Sequence, residues 1–143
     1  MNISKFTQKS LEAVNGCEKL AYEFGNQEID QEHLLMSLLT IEDSLILKLI
    51  EKMEINTEHF AERSRQAIAK RVKVSGGQLY MSQALNQVLV MAEDEAKAMG
   101  DAYVSVEHLF LSMLKQPNQK MGNVIDVALV HARVQREGHD FGC

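Results

Sequence analysis

The chain is 143 residues long, 45% hydrophobic and 24% charged, with a net charge of -5; a domain of this size hides roughly two-thirds of its unfolded surface, so a sizeable core is expected. Acidic and basic residues are interspersed, which leaves no basic stripe for nucleic acid, and no stretch approaches the roughly 20 apolar residues that a membrane span needs. The sequence predicts one soluble, cytoplasmic domain over residues 1–143, with neither nucleic acid nor membrane as a partner.

One proline, Pro117, and no strand-like alternation predict an all-α fold rich in strong helix formers. The first helix begins at Thr7 as N-cap, carries an apolar stripe of Leu11, Val14, Cys17, Leu20, Ala21 and Phe24, and ends at Gly25. Asp30 caps the second, with Gln31, Glu32 and His33 at N1 to N3 and Leu34, Leu35, Leu38 and Leu39 packing inward. The first-turn position of Glu32 suits the helix dipole. A third helix is expected within Asp43 to Met53. Asn56 starts a fourth, with Ile55 and Phe60 as a hydrophobic staple, running to about Arg71.

The segment VKVSGGQL, residues 72–79, has the only Gly-Gly pair and reads as a linker. A fifth helix starts at Ser82, buries Leu85, Val88, Leu89, Ala92, Ala96 and Met99, and stops at Gly100. Ser105 caps the sixth, placing Glu107 at N2 and His108 at N3. The pattern breaks from Lys115 to Asn118, and a last helix from about Asn123 to Gln135 is weakly favoured because its β-branched residues lose rotamer freedom.

Two stretches nearly coincide: GNQEIDQEHLLMSLL from Gly25 and GDAYVSVEHLFLSML from Gly100. At one constant offset Glu32 matches Glu107, His33 matches His108, Ser37 matches Ser112 and Thr7 matches Ser82. This is a tandem duplication. Repeat one spans about 1–71, the linker 72–79, repeat two about 80–121, and a divergent tail 122–143.

No phosphate-binding loop is present, since the Gly-Gly of VSGGQLY lacks a following Lys-Ser/Thr. Cys17 and Cys143 offer neither a disulfide framework nor zinc spacing, and Cys17 reads as core. Adjacent Glu-His residues point about 100° apart on a helix, which disfavours a metal site and leaves His33 and His108 structural. His131, His139, Asp140 and Cys143 form a loose terminal cluster that reads as a frayed tail. No catalytic residue, metal or cofactor is expected. The eight methionines are assigned to the core by default, and Tyr80 and Tyr103 are candidate exposed apolar contacts.

A hydroxyl at the start of each long helix pairs in sequence with a glutamate at the start of the following short one: Thr7 with Glu32, Ser82 with Glu107. Helix N-termini bind anions and carboxylates bind guanidinium, so these four residues are either helix caps or parts of a site for a ligand with both charges.

The doubled pattern, FTQKSLEAV to NQEIDQEHLLMSLL and YMSQALNQVLVMAEDEAKAMGDAYVSVEHLFLSML, resembles the N-terminal domain of the Clp AAA+ unfoldases and disaggregases, and most closely the ClpB branch. The resemblance covers about residues 3 to 121. It implies two pseudo-twofold-related four-helix repeats, about eight helices with the last altered, because GNVIDVALVHARVQREGHDFGC departs from the family after Met121. It implies a non-enzymatic role in engaging unfolded or aggregated polypeptides, with adaptor proteins, DnaK-type chaperones and a Clp ATPase hexamer as further partners. In the ClpB branch, positions matching Thr7, Asp101 and Glu107 engage substrate, and Tyr103 is added here as their apolar neighbour. In the ClpC branch, positions matching Thr7, Glu32, Ser82 and Glu107 line twin sites for phosphorylated arginine. A standalone adaptor of a Clp hexamer is a third reading.

Overall fold

The computed structural model describes residues 3–74 and 76–124. A 3-10 turn at Ile3–Lys5 leads into α1 (Gln8–Glu23), β1 (Glu28–Ile29), α2 (Gln31–Thr40), α3 (Leu45–Lys52) and α4 (Thr57–Ala69). After a segment whose described residues form neither helix nor strand come β2 (Tyr80–Met81), α5 (Gln83–Ala98), α6 (Val106–Lys115) and α7 (Gln119–Val124). The seven α-helices among the described residues compare with about eight expected, and no described helix is long and apolar enough to cross a membrane.

The helix starts fall where the caps predict. Thr7 accepts from the Ser10 amide at 3.2 Å, Asn56 from His59 at 2.9 Å and Ser82 from Leu85 at 3.0 Å. α7 is a correction, because it begins at Gln119, ahead of the expected Asn123. Asn118 is the reason: its side-chain oxygen accepts the Met121 amide at 2.9 Å, an N-cap that restarts the helix immediately after Pro117. The expected continuation to Gln135, and His131, His139, Asp140 and Cys143, lie outside the described residues.

The stripe on α1 is also corrected. Its buried face is Ser10, Ala13, Cys17 and Ala21, whereas Leu11 and Val14 lie only partly buried beside the core. Close packing against α2 selects small residues: a Cβ built on Gly16 would come 2.5 Å from the Ser37 hydroxyl oxygen. That hydroxyl donates to the Ala13 carbonyl at 2.6 Å, and in the second copy Ser112 donates to Val88 at 2.8 Å. Hydrophobicity alone does not reveal a face chosen for close backbone approach. On α5, Leu85, Val88, Leu89, Ala92 and Ala96 are buried as expected, and Met99 is partly buried. Cys17 lies in the core, and burial pushes its thiol up to about 12.

The two strands are not predicted by the sequence pattern, since two residues cannot display an alternation. They pair in parallel, Glu28 with Tyr80 and Ile29 with Met81. An isolated parallel bridge between Phe6 and Val104 repeats the arrangement at the other end. Each bridge ties the entry of one copy's long helix to the entry of the other copy's short helix.

Candidate functional site

The bridges exchange the partners that sequence order proposes. The Thr7 amide donates to the Val104 carbonyl at 2.9 Å, so Thr7 is fixed beside the turn leading into α6 and Glu107. The Ser82 amide donates to Ile29 at 2.8 Å, and its hydroxyl donates to Asp30 Oδ1 at 2.7 Å, at the start of α2 and Glu32. The candidate residues therefore gather as Ser82 with Glu32 and Thr7 with Glu107. The pairs adjacent in sequence, Thr7 with Glu32 and Ser82 with Glu107, are corrected by this exchange. Its cause is the parallel pairing between copies, which carries no mark in either repeat alone.

The Glu32 end is filled by the chain itself. Glu32 is fully buried, an expensive place for a carboxylate without a partner. Its partner is Arg71, two residues beyond α4: Nη1 lies 2.6 Å from Glu32 Oε2 and 3.4 Å from Asp30 Oδ2, and Nη2 pairs with Glu28. Burial works against the Arg71 charge, but the Glu32 carboxylate, then Asp30 and Glu28, hold its pKa above the ordinary value. Asn118 closes the cage, donating from Nδ2 to Glu32 Oε1 at 2.7 Å and to Asp30 Oδ1 at 3.2 Å. Its amide donates to Gln31 Oε1 at 2.8 Å. Sequence reasoning singled out none of Arg71, Glu28 and Asn118 for this site. The available signal was the crowding of three carboxylates, Glu28, Asp30 and Glu32, into five residues at a helix start, which calls for a cation from elsewhere in the chain.

Among the described residues the Glu107 end has no such plug. Among the described residues Glu107 forms no ion pair and is partly exposed, as is Thr7, while Tyr103 is 61% exposed. Asp101 lies at the edge, with Oδ2 2.8 Å from His108 Nε2. Tyr80 is also exposed, on the β2 side.

Both histidines close capping boxes. The Asp30 amide donates to His33 Nδ1 and the Ser105 amide to His108 Nδ1, each at 2.9 Å. This leaves the proton on Nε2, facing Asn26 Oδ1 at 2.9 Å in the first copy and the Asp101 carboxylate in the second. Burial, and then Arg71, lower the His33 pKa to about 4. Among the described residues, no three of His, Cys, Asp and Glu are grouped to hold a metal.

The family model for the Clp repeat (R) N-terminal domain matches residues 5–127, continuing past Met121. This chain belongs to that family. Among relatives of this Clp N-terminal domain, the chaperone protein ClpB of Nitratidesulfovibrio vulgaris is 43% identical over 122 residues, covering 82% of this chain and 14% of the relative. ClpB of Porphyromonas gingivalis is 41% identical over 114 residues, covering 80% and 13%. The chain thus spans about a seventh of the length of the curated relatives it matches.

Solved Clp N-domains share the fold. The Hsp104 N-terminal domain of Candida albicans superposes with a TM-score of 0.82 at 17% identity, covering 94% of this chain and 93% of that one. A ClpV N-domain, solved in complex with a VipB peptide, superposes at 0.68 with 19% identity, covering 92% and 89%. At these identities the likeness carries the fold alone.

Proposed function

We propose that this chain is a non-catalytic recognition domain of a ClpB-like disaggregase, engaging unfolded or aggregated polypeptide at the Thr7–Glu107 end. The observation that carries the proposal is the asymmetry of the two ends: one acidic site holds an internal arginine, while the other presents Glu107 without an ion pair among the described residues, near exposed Tyr103. An exposed aromatic and a free carboxylate in one short stretch suit weak, tolerant capture of apolar segments with basic flanks. Adaptor proteins, DnaK-type chaperones and a Clp ATPase hexamer are further partners within this proposal.

Titration with a permanently unfolded polypeptide, such as reduced and carboxymethylated lactalbumin, is expected to shift backbone amides at Thr7 and from Asp101 to Glu107, leaving Glu32 unaffected. Unchanged amides in that stretch at saturating polypeptide would refute it.

A second function, binding phosphorylated arginine on tagged proteins, rests on the Glu107 end, since at the other end the carboxylates already hold the Arg71 guanidinium in the way such a site holds its ligand. Because Arg71 occupies the Glu32 end, free phosphoarginine should bind with one equivalent per chain, where twin open sites would take two.

A further inference from the structure

Duplication supplies an internal comparison for Asp101. Its counterpart in the first copy is Asn26, and both occupy the same place: directly after a glycine with positive φ, Gly25 or Gly100, at the exit of a long helix. Both backbone amides donate back into that helix at 2.8 Å, to Ala21 and to Ala96. Each side-chain oxygen then faces Nε2 of the buried histidine that caps the next helix, at 2.9 Å in one copy and 2.8 Å in the other. The first copy performs this task with a neutral amide.

From this equivalence we propose that Asp101 is a positioning residue. It holds His108, and through it the turn of residues 101–105 that presents Tyr103, without needing its charge to contact a polypeptide. The turn is clamped at both ends. His108 anchors Asp101 and the Ser105 amide, and Val104 donates to Lys5 at 2.8 Å and accepts from Thr7 at 2.9 Å. Loosening the histidine end displaces Tyr103 and the Thr7 entry together.

The binding part of this inference rests on the function proposed above; the local part does not. Asp101→Asn keeps the acceptor and removes the charge, reproducing what Asn26 does. Asp101→Ala removes both. Asp101→Asn is expected to bind unfolded polypeptide within about twofold of the parent chain, and Asp101→Ala about tenfold more weakly, in line with loss of an ordered hydrogen bond. Equal loss in both variants would overturn the proposal, since it would make the charge a direct contact.

Nitrogen-15 shifts of the His108 ring give the second readout. Asp101→Asn should keep the Nε2-protonated tautomer and parental amide shifts from Ala102 to Ser105, while Asp101→Ala should lose both. If the parent chain binds no polypeptide, the recognition function fails while the ring and amide shifts still decide the positioning role. Parental shifts in Asp101→Ala would overturn it.

Discussion

Replacing Arg71 with alanine is expected to lower the stability of the domain by about 3–5 kcal/mol, the usual cost of removing one partner from a buried ion pair. Glu32 has no access to water, and two of its contacts are Arg71 Nη1 at 2.6 Å and Asn118 Nδ2 at 2.7 Å. Deleting the guanidinium leaves a buried carboxylate with one neutral donor, and the Coulomb attraction that offset its desolvation is gone. For a domain of this length the melting temperature should fall by roughly 10–20 °C. Urea denaturation measures the loss directly. The interpretation is tested by the pair Arg71→Ala with Glu32→Gln, in which the one fully buried carboxylate is neutral while Asp30 and Glu28 keep some access to water: it should recover most of the stability lost in Arg71→Ala alone. Arg71→Lys should fall between, because a lysine keeps the charge but cannot span Glu28 and Glu32 as a planar fork does. A loss below about 1 kcal/mol in Arg71→Ala would mean that the site behaves as a surface pair.

The reach of the sequence is uneven for a physical reason. Caps are local chemistry, so Thr7, Asp30, Asn56, Ser82 and Ser105 mark helix starts with no knowledge of the tertiary fold. Duplication is equally legible, because equal spacing survives wherever the two copies lie. What joins distant parts is invisible to both signals. Arg71 reads as the polar end of a helix until its reach to Glu28, Asp30 and Glu32 is seen, and Asn118 reads as loop residue beside Pro117. The exchange of Thr7 and Ser82 between copies depends on two-residue parallel pairings, too short to leave a pattern. The rotated face of α1 has the same origin. Its small residues are selected by the distance to α2, a tertiary quantity that helical periodicity does not contain. Of the six candidate residues, the structure places Thr7, Asp101, Tyr103 and Glu107 at one end and Ser82 with Glu32 at the other.

Acidification should weaken the fold through His33 before most carboxylates titrate. The ring is fully buried, accepts the Asp30 amide on Nδ1 and faces Asn26 on Nε2, so a second proton on Nδ1 would break the capping box. Burial first and the Arg71 charge second lower its folded pKa to about 4, against an unfolded value of 6.5. The sign follows from proton counting: between those two values the unfolded chain binds a proton that the folded chain refuses. The stability that the neutral His33 ring contributes is therefore fully present above pH 6.5, is lost as the pH falls toward about 4, and changes no further below it. At about 1.4 kcal/mol per pH unit the loss is about 3 kcal/mol. Urea titrations at several pH values across this window would trace it, and His33→Gln, whatever its stability at neutral pH, should flatten that part of the curve. An unchanged slope in His33→Gln would assign the acid sensitivity to other groups. The contribution depends on Arg71 as well. With Arg71→Met in place the charge facing His33 is removed, the folded pKa rises toward the ordinary value, and the acid-induced loss should shrink, coupling the capping histidine of α2 to the arginine that fills its neighbouring site.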